Sequence, residues 1–170
     1  GGFYTAPPFK WAHQGLCELL IFVSFGPLMT ITAYFVQAYS VNSAVVIASF
    51  IPGFLAAAIV DINEFPDHDA DKKTGKANLI VRLGRKAGRF TYYFIVLAAY
   101  LSVVAAVWLK LLPVATLISF IGLPFSLKAA AVLAKSFDNP EKLAPACAMT
   151  IVAHFVSGLA LVAVLFFSKT

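Results

Sequence analysis

The chain has 170 residues, of which 61% are hydrophobic and only 12% charged, giving a mean hydropathy of +0.86. A soluble domain carries about 25% charged residues, so the composition excludes a water-soluble globule and indicates an integral membrane protein. The net charge of +5 does not point to nucleic acid, because the basic residues lie between apolar runs instead of along one polar face.

In chain order, five stretches approach the roughly 20 apolar residues that a bilayer requires: 15–39, 43–65, 90–109, 112–133 and 143–167. They predict an all-α, multi-spanning transmembrane bundle, one unit over residues 1–170 with no linker and no internal repeat. Pro27, Pro52, Gly53 and Pro124 interrupt the spans; in membrane helices such residues mark kinks, either beside a cavity or in plain packing. Cys17 and Cys147 sit inside apolar segments without CxxC spacing, so they read as reduced packing residues. The chain starts with Gly and shows no cleavable leader, which leads us to expect that it begins inside a longer protein.

The connections alternate in character. The turns at 39–42 and 110–113 are short, whereas 7–13, 66–89 and 136–142 are longer and polar. The neighbourhood of those three holds eleven of the thirteen Lys and Arg residues, leaving Lys110 and Lys169 for the opposite side. The positive-inside rule therefore places the polar loops in the cytoplasm.

The second polar segment carries the chemistry. Five of the eight acidic residues (Asp61, Glu64, Asp67, Asp69 and Asp71) fall within eleven positions. Asn63, Asp67 and Asp71 recur every four residues, so on a helix each is turned by about 40° from the last and all three share a face. Pro66 is expected to interrupt a continuous helix and to begin a new one. Two converging carboxylates repel, and Mg²⁺ between them removes that penalty while leaving positions for phosphate oxygens. Lys72, Lys73, Lys76, Arg82 and Arg85 follow at once and suit the remaining phosphate charge. Three other readings compete. An EF-hand fails because its sixth and twelfth positions would be Lys72 and Asn78. A solvated, anionic-lipid-binding loop fits the lysines. An ion-coupled cation transporter would place its acids nearer the bilayer midplane than this helix end.

Asn63-x-x-x-Asp67-x-x-x-Asp71, continuing into Gly75-Lys76 and Val81-Arg82-Leu83-Gly84, closely resembles the second aspartate-rich motif of the UbiA-type intramembrane aromatic prenyltransferases. The run Tyr4-Thr5-Ala6-Pro7-Pro8-Phe9-Lys10, followed by Gly15 and Glu18, is similar to the loop before the fifth helix in the menaquinone branch. The resemblance implies that the chain supplies helices five to nine of nine. It also implies that the first aspartate-rich motif lies elsewhere, so that the chain alone lacks turnover. The implied reaction is Mg²⁺-dependent transfer of a polyprenyl group from its diphosphate to an aromatic acceptor, 1,4-dihydroxy-2-naphthoate or alternatively 4-hydroxybenzoate or homogentisate. It would take place in a bacterial or archaeal cell membrane. Asp67 and Asp71 would hold the metal with Asn63 beside them, while Lys76, Arg82 and Lys72 would meet the diphosphate. Tyr4 would either face the reacting carbon or anchor the interface, and Lys10 would either meet diphosphate or snorkel to lipid. Asp69 reads as a supporting acid or a solvated one, and Asp61 departs from the family pattern without an evident role. His154 reads as a hydrogen-bonded packing residue or a proton acceptor, and His13 and His68 share no ligand spacing with it.

Overall fold

The computed structural model describes residues 11–168, and every regular element among them is helical. A short 3₁₀ turn at Trp11–His13 leads into α1 (Cys17–Val23), which passes through a π-helical turn at Ser24–Leu28 into α2 (Met29–Ala38). Then follow α3 (Ser43–Lys73), α4 (Leu79–Leu83) and α5 (Arg85–Trp108). A 3₁₀ stretch at Val114–Gly122 runs into α6 (Leu123–Ser136), and α7 (Ala144–Phe167) closes the order. Five of the resulting rods among the described residues are long and apolar enough to cross a membrane.

The exterior shows which solvent the fold expects. Trp108, Phe94 and Leu159 are 79%, 69% and 66% exposed, a surface that water would not tolerate and lipid does. Polar groups turn inward and tie helices together. Tyr92 on α5 meets Thr150 on α7 at 2.8 Å, and the Tyr100 hydroxyl lies 3.2 Å from Ser126 and 3.3 Å from Ser157. Interhelical hydrogen bonds of this kind hold bundles that gain little from the hydrophobic effect inside lipid.

Helix α3 is the central rod. The Asn42 side chain caps it by accepting from Val45 N–H at 2.9 Å, and 31 residues at 1.5 Å each give a length of about 46 Å. A hydrocarbon core is about 30 Å thick, so the polar last turns extend past it. Its inner face contributes Ile51, Leu55, Ile62 and Phe65 to the core, packed chiefly against α5.

The prolines behave differently from their sequence reading. Pro66 does not start a new helix: α3 continues through it to Lys73, so most of the expected 66–89 loop is helical. Having no N–H, Pro66 leaves the Ile62 carbonyl without its helical donor. Cys147 on α7 approaches that oxygen, inside the protein core, with its thiol at 3.9 Å, a long and weak contact. Pro27 and Pro52 flank a backbone crossing instead of a cavity. A Cβ added to Gly53 would stand 2.8 Å from the Phe22 carbonyl and 3.0 Å from Gly26 Cα, so only glycine permits this approach. Pro124 sits in the first turn of α6, where its missing donor does no harm. His154 is half-buried against the edge of Phe155, but its Nδ1 has no hydrogen-bond partner, contrary to the paired role expected for it.

Candidate functional site

The C-terminus of α3 builds a clasp around Asp71. Gly75 adopts φ +76° and reverses the chain, donating its N–H to the Lys72 carbonyl at 3.3 Å, while Lys76 N–H reaches the Asp71 carbonyl at 2.9 Å. This is a Schellman ending. Its consequence is local: the Lys76 side chain returns over the last helical turn and donates Nζ to Asp71 Oδ2 at 2.8 Å. Asn78 completes the clasp by serving two elements at once. Its Oδ1 caps α4 through Val81 N–H at 2.8 Å, and its Nδ2 donates to the same Asp71 Oδ2 at 2.7 Å. Below it, the fully buried Ile80 packs into the space left by Gly88 and fastens α4 to α5. Burial draws the Lys76 ammonium down, but the hydrogen bond and charge of Asp71 more than offset this, so its pKa lies above the ordinary lysine value.

Asn63, Asp67 and Asp71 lie along one strip of the unbroken helix, as their spacing requires. Asp67 is exposed, and Asn63 and Asp71 are half-buried. The strip occupies the negative end of the α3 dipole, which favours a cation. Its oxygen donors suit a hard metal. Among the described residues no three Asp, Glu, His or Cys side chains converge into a metal-holding group. The strip thus supplies two carboxylates and an amide oxygen, a set that fits Mg²⁺ when substrate phosphates complete its shell.

The remaining predicted residues divide. Lys72 and Lys73 are exposed at the helix end. Arg82 spends Nε on the Ala77 carbonyl at 2.8 Å, and its stem passes over Gly15, tying α4 to the start of α1. Arg85, expected among the phosphate-facing cations, instead reaches Asp69 at 3.1 Å and the Phe65 carbonyl at 3.3 Å. Asp69 is thereby held by Arg85 and by His68 at 2.8 Å, pointing away from a metal role. Tyr4 and Lys10 lie outside the described residues.

Two of the five clustered acids leave the surface altogether. Asp61 is 0% and Glu64 4% exposed, and Glu18 of α1, at 7%, faces Glu64. Thr91 Oγ1 lies 2.6 Å from both Asp61 Oδ1 and the Gly88 carbonyl, but its single proton serves only one of them. Glu18 Oε1, Asp61 Oδ2 and both Glu64 oxygens make no well-formed hydrogen bond, although the Ile80 N–H lies near Glu64 and Glu18 and Glu64 face each other. Sequence reasoning gave no functional role to Glu18, which entered only through the resemblance, or to Asn78. The Asn before an apolar run at 79–81 was a legible capping signal, but its reach back to Asp71 was not.

The sequence model of the UbiA prenyltransferase family matches residues 1–159. A 2-carboxy-1,4-naphthoquinone phytyltransferase from Synechocystis is 30% identical over 163 residues, covering 96% of this chain and 53% of that protein. The chloroplastic protein of the same name from Arabidopsis thaliana is 28% identical over 169 residues, 95% of this chain and 44% of its own. A 1,4-dihydroxy-2-naphthoate octaprenyltransferase from Haemophilus influenzae is 35% identical over 117 residues, 69% and 36% of the two chains. The chain thus spans about half the length of the first of these relatives. No solved structure matches it.

Proposed function

The chain belongs to the UbiA prenyltransferase family, and on that premise we propose that the whole protein prenylates a naphthalene-type acceptor in quinone biosynthesis. The donor is a polyprenyl diphosphate and the acceptor 1,4-dihydroxy-2-naphthoate or a close relative, a reading supported by what the relatives are named for. The observation that carries it is the clasp on Asp71, set on one strip with Asn63 and Asp67 at the end of a membrane-crossing rod.

Asn63, Asp67 and Asp71 would hold Mg²⁺. When bound, the metal would supply positive charge against the departing diphosphate. The chain's own residues do the rest. Asn78 and Lys76 fix Asp71 in one orientation, so the carboxylate needs no reorganisation when substrate arrives. Arg82 has donors left beyond its Ala77 contact, and Lys72 stands exposed on the same helix end; both would meet phosphate oxygens. The prenyl tail would lie among apolar helices that exclude water. When the allylic C–O bond breaks, its electron pair leaves with diphosphate and the carbocation is shielded from hydrolysis. The electron-rich ring then forms the new C–C bond and loses its proton. Because the basic residues gather at this end of the spans, the site would face the cytoplasm of a bacterial or archaeal cell.

The test is transfer of a radiolabelled prenyl group by the intact protein in liposomes. Asp67→Ala and Asp71→Ala should each bring it to background. Mg²⁺ flux that ignores isoprenoid diphosphate, with no prenyl transfer, would support a transporter instead.

A further inference from the structure

Away from the Asp71 clasp, the start of α5 carries charge of the sign its position disfavours. Arg85, Lys86 and Arg89 stand at the positive end of the helix dipole, with no acidic residue in the first turn and no side-chain cap. Arg85 is offset by Asp69, which it meets at 3.1 Å. Among the described residues Lys86 and Arg89 join no ion pair. Arg89 is nonetheless held in place. Its guanidinium carbon lies 5.1 Å from the ring centre of Phe90 and 5.0 Å from that of Phe137, and its Nε is shut away from solvent without an acceptor. Two aromatic rings thus fix the guanidinium before any anion arrives. The three cations line a recess of ≈ 540 Å³, and Asp138, from the connection between α6 and α7, lines it too. Asp138 pairs with none of them, so opposite charges share this recess with room between them. None of Asn63, Asp67, Asp71, Lys76 and Asn78 lines it.

The recess continues into the lipid-facing surface. It shares Leu83, Ala87 and Phe90 with a shallow groove of ≈ 500 Å³ that Leu19 and Phe94 extend, and whose lining is apolar apart from Glu18 and Thr91. Phe90 and Phe94, one turn apart on α5, are 59% and 69% exposed. A basic recess that runs into an exposed apolar groove fits an amphiphile, since a free anion would leave the groove unused. We propose that the two together bind one anionic phospholipid of the phosphatidylglycerol type. Its phosphodiester meets Lys86 and Arg89, and an acyl chain lies along Phe90 and Phe94. Basic pockets at the polar ends of membrane helices attract such heads, and a guanidinium fork suits phosphate oxygens. The charges select the head group. With Arg85 offset by Asp69, the two cations Lys86 and Arg89 against the one carboxylate of Asp138 leave a single positive charge, which a singly anionic lipid neutralises. Asp138 repels a bare phosphate but accepts from the hydroxyls of a glycerol head. The site needs nothing from the transfer reaction.

The experiment counts lipid retained by the intact, delipidated protein in native mass spectrometry. The probes are phosphatidylglycerol, zwitterionic phosphatidylethanolamine, and phosphatidylmethanol, which is singly anionic but has no head-group hydroxyl. Wild type should hold phosphatidylglycerol about tenfold more tightly than phosphatidylethanolamine. Lys86→Gln should weaken it about three- to tenfold, and Lys86→Gln combined with Arg89→Gln about tenfold or more. Lys135→Gln removes the same charge from an exposed position in the last turn of α6 and should change it by less than about twofold. Wild type should also prefer phosphatidylglycerol to phosphatidylmethanol by about threefold or more, and Asp138→Ala should erase that preference. Equal losses in Lys86→Gln and Lys135→Gln would show general surface attraction, and equal retention of phosphatidylglycerol and phosphatidylethanolamine would show no selected head; either overturns the proposal. Inorganic phosphate or diphosphate at equal concentration should leave the lipid bound. Displacement by either would assign the recess to a free anion or to the substrate head, and overturns it as well. Lys86 and Asp138 are exposed, so their single replacements keep the test standing if the double variant fails to fold.

Discussion

Replacing Asn78 with Asp separates two jobs that one side chain performs. The carboxylate keeps an oxygen for Val81 N–H, so the α4 cap survives, but the donor that holds Asp71 Oδ2 at 2.7 Å is gone. In its place a second acceptor faces Asp71, with only Lys76 between the two charges. A hydrogen bond to a charged group contributes about 1.5–3 kcal/mol, and every 1.4 kcal/mol is tenfold. If the clasp pre-orients Asp71, the variant should therefore weaken polyprenyl diphosphate use by about 10- to 100-fold. It should also raise the Mg²⁺ concentration needed for half-maximal transfer. Asn78→Ala loses the donor without adding a charge and also loses the cap, worth about 1 kcal/mol; it should be the less stable variant and the less impaired in Mg²⁺ dependence. Prenyl transfer measured against Mg²⁺ and donor concentration, beside thermal melts in detergent, separates these outcomes. An Asn78→Asp protein with wild-type Mg²⁺ and donor dependence would refute the idea that Asp71 must be held.

Gly53→Ala should destabilise the bundle by about 1–3 kcal/mol, because the added methyl meets backbone of the α1 segment that cannot move aside. Gly158→Ala, whose Cβ meets nothing within 4 Å, serves as the neutral control in the same melts. Gly75→Ala also has open space around it, so only the positive φ resists. A loss near 1 kcal/mol is expected, and a loss several times larger would show that the Schellman account is incomplete. The raised pKa of Lys76 fixes the sign of its pH dependence. Its ion pair stabilises fully below the unfolded lysine value of about 10.4 and is lost as pH rises through the folded one. Melts of wild type and Lys76→Met should thus differ by a constant amount from about pH 6 to 9 and converge above that window; a gap closing near neutrality would contradict the pairing.

The spacing of Asn63, Asp67 and Asp71 was legible because a helix repeats by geometry alone, and one strip of one rod needs no knowledge of neighbours. The apolar runs were legible because a bilayer sets their length. The reading failed at Pro66, where local chemistry says break. There α3 runs on to Lys73, packed along its length against α1, α5 and α7, and no local rule contains those neighbours. It failed again in treating five acids as one group. Asp67 and Asp69, about 160° apart around α3, are both exposed, whereas Asp61 and Glu64, about 60° apart, are buried against α5 and α1. Which face of α3 turns inward is decided by the helices packed around it.

By itself the sequence determined a lipid-embedded helical protein with hard-metal donors at the end of one span, since hydropathy and helical period are properties of contiguous residues. Only the tertiary structure decided that Lys76 and Asn78 grip Asp71, that Arg85 belongs to Asp69, and that Glu18 is buried facing Glu64. Those pairings join a helix end to a turn, or residues tens of positions apart, and they form only when chain reversal and packing bring the partners within hydrogen-bonding reach.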